Sequence, residues 1–118
     1  MTHISESEFG ETVRAWLTHH YAEEDVDEEV VLPSGRRADF VVETPIGRSL
    51  AVEVENSRWA TYEAVGQALA YQNELCDRRG KPYAAVVIVP THAVEELGAG
   101  YLTQEVEFVE VSPTWSPP

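Results

Sequence analysis

The chain has 118 residues, 43% of them apolar, enough for one domain with its own core. No apolar run approaches the ~20 residues of a membrane span, and the acidic start MTHISESEFGE has no apolar stretch, so neither a membrane anchor nor a signal peptide is expected and the expected location is the cytoplasm. A single cysteine, Cys76, excludes an intrachain disulfide and a cysteine zinc cluster, and a net charge of −13 argues against a partner gripped by a broad basic surface.

The first expected element is a helix over Ser5–Tyr21. Ser5-Glu6-Ser7-Glu8 fits a capping box, and Phe9, Val13, Trp16, Leu17 and His20 recur at helical spacing. The acidic run AEEDVDEE that follows reads as a solvated connection. Three strands come next: a short one over Glu29–Leu32, closed by the turn Pro33-Ser34-Gly35, then Arg37–Glu43, then Ser49–Glu55 after a turn through Pro45-Ile46-Gly47. A second helix is expected over Thr61–Cys76, with Ala64, Val65, Ala68, Leu69, Leu75 and Cys76 as its buried stripe. YAAVVIV, Tyr83–Val89, is the continuous apolar run of a strand buried on both faces. A short helical segment near Ala93–Leu97 precedes a last strand, Glu105–Val111. Residues 1–111 then form a single domain and 112–118 a flexible Pro-rich tail, with the partner of Trp115 left open.

Polar residues stand out inside these elements. Asp39 heads the apolar run RADFVVE, and Glu53 and Glu55 form an E-x-E in LAVEVEN. A hairpin with its loop at Thr44–Arg48 pairs Val41 with Ala51 and Asp39 with Glu53. Asp39, Glu53 and Glu55 then share one face. Facing carboxylates raise each other's pKa unless a cation intervenes, and a hard divalent ion suits an all-oxygen set. In the same register Arg37 falls opposite Glu55, so Glu55 has two readings, metal ligand or cross-strand ion-pair partner. On the second helix Glu63, Gln67 and Tyr71 form one stripe at i, i+4 and i+8. Its plain reading is the polar edge of an amphipathic helix.

An acid on one strand, E-x-E on the next, Q-xxx-Y on the following helix and the order α-β-β-β-α-β together resemble the PD-(D/E)XK, or restriction-endonuclease-like, superfamily, in its RecB-like branch. The resemblance covers nearly the whole chain. It implies an α/β fold with a central mixed sheet flanked by helices, and a nuclease that hydrolyses DNA phosphodiester bonds with Mg²⁺ or Mn²⁺. Asp39, Glu53 and Glu55 would be metal ligands, with Gln67 and Tyr71 on the phosphate side of the site. Glu6 is the acid nearest the right phase of the first helix to join them, although it also complements the helix dipole. The family usually has Lys where this chain has Glu55, which raises the alternative of a catalytically degenerate member acting as a nucleic-acid or protein-binding module.

The basic residues are seven arginines and Lys81, and Arg36, Arg37, Arg58, Arg78, Arg79 and Lys81 lie near these motifs in sequence. Arg36, Arg37 and Arg58 are the candidates for backbone contacts; ion pairing with the many glutamates is the competing use. The acid-rich, lysine-poor composition resembles that of proteins from salt-loving archaea, where high salt screens the self-repulsion of an acidic surface. A domain this small has few surfaces for holding a duplex, so a homodimer is expected on DNA.

Overall fold

The computed structural model describes residues 5–57, 61–91 and 105–118, without the side chains of Thr61 and Tyr62. The expected segment at Ala93–Leu97 and the candidate Arg58 lie outside the described residues. The architecture is α/β. Helix α1 (Glu6–His20) leads through a 3-10 turn into strands β1 (Val26–Val31), β2 (Arg37–Val42) and β3 (Ser49–Val54); helix α2 (Thr61–Arg79) and strands β4 (Tyr83–Pro90) and β5 (Val106–Val111) follow. The five strands form one mixed sheet in the order β1-β2-β3-β4-β5. The first three pair antiparallel, and β3, β4 and β5 run parallel. No described helix is long and apolar enough to cross a membrane.

Each helix covers one face. Phe9, Val13 and Leu17 of α1 are fully buried against Phe40, Val42, Leu50, Val52, Val54, Val86 and Ile88. Burial of each such side chain stabilises by roughly 1.5–3 kcal/mol. On the other face α2 sets Tyr71 and Leu75 against Val41 and Ala51, and Ala64 and Ala68 against Ala85, Val87 and Val89. Ser5 caps α1: its hydroxyl oxygen accepts from Glu8 N–H at 3.2 Å and donates to the Glu8 carboxylate at 2.9 Å, in place of the expected reciprocal box. Beyond β5, Trp115 packs against the α1-side core, with its ring 5.4 Å from that of His19. His20 is exposed and its ring lies tilted against that of Trp16, 4.4 Å between ring centroids.

The hairpin β1–β2 carries an irregularity that alternation alone does not reveal. Val26 and Phe40 pack in the α1-side core, whereas Val30 and Ala38 pack on the α2 side. In an unbroken strand, positions separated by an even number share a face. The faces therefore exchange between Glu28↔Phe40 and Val30↔Ala38, at Glu29 and Asp39. Glu29 has φ 52°, the one positive φ among described non-glycine residues. That conformation costs about 1–2 kcal/mol in an ordinary side chain.

Candidate functional site

Asp39 sits at this exchange. The β2–β3 ladder has the expected register, Val41↔Ala51, and its last pair is Phe40↔Val52. One step further, where Asp39 would face Glu53, the Asp39 side chain takes over: its Oδ2 accepts from the backbone N–H of Val54 at 2.7 Å. This holds the carboxylate against β3 and satisfies a half-buried donor.

Glu53 projects from β3 between Asp39 and α2. Its Oε2 is buried with no hydrogen-bond partner. Burial, first, and the hydrogen-bonded and negatively charged Asp39 beside it push the Glu53 carboxyl up to about 9, a rise that Glu55 reinforces and the Tyr71 hydroxyl opposes. Tyr71 is 4% exposed, with its hydroxyl directed to Glu53; burial and that carboxylate raise its own pKa. Gln67, one turn earlier on α2, is exposed, as is Glu63.

Glu55 lies just past the end of β3, fixed by its N–H to Ile88 O at 2.9 Å. Its Oε1 accepts from Ser57 N–H at 2.8 Å. Burial raises its pKa, the Ser57 N–H opposes this, and the charges of Glu6 and Asp39 add to the rise. The alternative cross-strand pair does not form: among the described residues no ion pair joins Arg37 to Glu55. Glu6 therefore belongs to the same electrostatic neighbourhood. With Glu28, Glu29, Asp39, Phe40 and Val54 it lines a cavity of about 450 Å³ between α1 and the β1–β2 hairpin.

The cations divide. Arg79 and Lys81 both pair with Glu43, which also accepts from the Tyr83 hydroxyl at 2.9 Å. Arg48 forms a bidentate pair with Glu107. Arg36 lies 3.9 Å from Glu74 and near enough to Tyr71 to ease its ionisation. Arg37 is exposed at the start of β2.

Among the described residues no three His, Cys, Asp or Glu side chains stand in a geometry ready to enclose a metal ion. The donor chemistry nevertheless fits one. A buried carboxylate oxygen without a partner, beside a second carboxylate, is what a hard divalent cation satisfies, with water completing its shell. Two residues that sequence reasoning missed are Glu29 and Glu74; the Pro33-Ser34-Gly35 turn was the one available signal for the second. The chain matches no protein-family model, and no curated protein or solved structure is significantly similar to it.

Proposed function

We propose that this α/β domain is a PD-(D/E)XK-type nuclease that hydrolyses DNA phosphodiester bonds with Mg²⁺ or Mn²⁺. The observation that carries the reading is the juxtaposition of Asp39 and Glu53, with one Glu53 oxygen buried and unpartnered. The order α-β-β-β-α-β, which puts those acids on adjacent strands and Tyr71 on the helix above them, supports it. Asp39 and Glu53 would hold the cation, with Glu55 as a further ligand. The cation supplies charge to polarise the phosphoryl group and to lower the pKa of an attacking water.

The chain's own residues do the rest. The Val54 N–H orients the Asp39 carboxylate through Oδ2. The Tyr71 hydroxyl stabilises the ionised form of Glu53. Arg36 places positive charge beside Tyr71 and is a candidate for a backbone contact. Arg37 and Arg58 are further candidates for backbone contacts, and Gln67, exposed on the same helix, for the phosphate. A homodimer would supply the grip on a duplex that one small domain lacks.

One observation favours a second reading, a degenerate binding module of the same fold. Glu55 stands where the family has Lys, and its carboxylate is engaged by Ser57 N–H. The deciding experiment is a cleavage assay in molar KCl with Mn²⁺ or Mg²⁺ on linear, circular, single-stranded and branched DNA, with Glu53→Ala as control. Metal-dependent cutting that the control loses supports the nuclease. DNA binding by folded protein without cutting supports the module.

A further inference from the structure

Glu74 lies on α2 three residues beyond Tyr71, so both side chains leave the helix on the same side, one turn apart. Tyr71 points inward to Glu53. Glu74 points to the β1–β2 turn and holds it with both oxygens: Oε1 accepts from Ser34 N–H at 3.0 Å and Oε2 from the Ser34 hydroxyl at 2.7 Å. The same hydroxyl accepts from Arg36 N–H at 3.2 Å, and the Arg36 guanidinium stands 3.9 Å from Oε2. The turn is itself closed, by Leu32 N–H to Arg36 O at 2.8 Å and Gly35 N–H to Leu32 O at 2.9 Å. Gly35 makes it with φ 90°, which a side chain would resist. Beneath it Leu32 is buried with Tyr71 and Leu75.

The second half of α2 is also anchored by the buried Leu75 and by Gln72 Nε2, which donates to Tyr83 O at 2.8 Å; the first half is held less firmly. That half meets the sheet through Ala64 and Ala68, which face Ala85, Val87 and Val89. Small side chains make shallow ridges, and shallow ridges leave a helix free to slide or roll on a sheet. A hydroxyl at the end of a long side chain such as Tyr71 amplifies any roll. A clamp one turn from Tyr71, tied to the hairpin that carries Asp39, adds a fixed point on the side of the helix nearest that hydroxyl.

We propose that Glu74 is a positioning residue for the candidate site: by clamping the β1–β2 turn it sets α2 so that the Tyr71 hydroxyl meets Glu53, and it keeps Arg36 beside that hydroxyl. The catalytic consequence rests on the nuclease reading; the placement of Tyr71 does not. The field of Arg36 at Tyr71 agrees with this arrangement.

The test has two readouts. The first is spectroscopic. A tyrosine hydroxyl bonded to a carboxyl group absorbs at longer wavelength than a phenol in water, and the Tyr71 band is isolated by subtracting the spectrum of Tyr71→Phe. Glu74→Leu, and more mildly Ser34→Ala, move that band towards the water value in protein whose circular dichroism is unchanged. The second is kinetic. Glu74→Leu lowers kcat about 10-fold with KM within about 3-fold, as misplacement of a catalytic group does. In a Tyr71→Phe background the same substitution changes kcat less than about 2-fold, because residues acting as one unit are not additive. An unmoved Tyr71 band in folded Glu74→Leu protein overturns the proposal, as do effects that multiply in the double variant. If the unsubstituted protein cuts no DNA with Mn²⁺, the nuclease reading and the kinetic consequence fall together, while the band still decides whether Glu74 places Tyr71.

Discussion

Asp39 Oδ2 accepts the Val54 backbone N–H at 2.7 Å, across the point where the β2–β3 ladder ends. A proposed metal ligand is thus also a structural acceptor, and the two roles separate by substitution. Asp39→Ala leaves a half-buried donor unsatisfied and should cost about 1–3 kcal/mol. Asp39→Asn keeps an acceptor and should cost under about 1 kcal/mol. Both should abolish metal-dependent cleavage. Urea unfolding at pH 6, where Glu53 keeps its proton, measures the first difference, and the cleavage assay the second.

Glu53 predicts how stability responds to pH. Its folded pKa, about 9, lies above the ordinary 4.5, so the folded chain binds the extra proton between those values. The stabilisation is complete below about pH 4.5 and is lost as pH rises through about 9. Glu53→Gln removes the titration and gives the orphan oxygen's position a donor that can face Asp39. The variant should be the more stable protein at pH 9, by on the order of 2 kcal/mol after allowance for solvent screening. Its melting temperature should be flatter across pH 6–9. Parallel melting curves for the two proteins over that range would contradict this account.

Trp115 tests the attachment of the C-terminal segment. Its ring packs on the α1-side core and against His19. Trp115→Ala should cost about 1–2 kcal/mol. Fluorescence of Trp115 in a Trp16→Phe, Trp59→Phe background should shift to the red on unfolding, together with the loss of helix by circular dichroism.

Salt dependence distinguishes two electrostatic regimes by sign. The ion pairs Arg14–Glu28 and Arg48–Glu107 are largely exposed and contribute no more than about 1 kcal/mol each. The unbalanced charge of −13 repels itself. Raising KCl from about 0.1 M to about 2 M screens both, so the larger effect decides the direction. Repulsion should win, with the melting temperature rising. A falling melting temperature would mean that the pairs dominate and that the halophilic reading fails.

Much of this arrangement was legible in the chain. The β2–β3 register followed from the Thr44–Arg48 turn and the alternation around Val41 and Ala51, and the apolar run at Tyr83–Val89 marked the buried strand. Helical spacing put Tyr71 on one stripe with Glu63 and Gln67, but those two are exposed, so spacing alone did not place Tyr71 over Glu53. The start of β1 did not: the strand begins at Val26, inside an acidic run that reads as loop. An edge strand needs only one ladder of hydrogen bonds and little apolar surface, so its composition gives little sign of it. α2 continues to Arg79 rather than ending at Cys76, and Gly80 with φ 66° terminates it. The exchange of faces at Glu29 and Asp39 was invisible because each segment on either side alternates correctly. Glu74 was missed because its partner, Ser34, lies forty positions away.

The left-handed backbone at Glu29 has a bearing on how copies of this protein meet. β1 borders the sheet, and a long flat border of free N–H and C=O groups invites another chain to add a strand. Here the border is interrupted near its middle, and Asp27, Glu28 and Glu29 are all exposed along it. A second copy laid against it would meet a broken template and a row of like charges. The same irregularity at Glu29 and Asp39 therefore makes this margin a poor template for adding a strand.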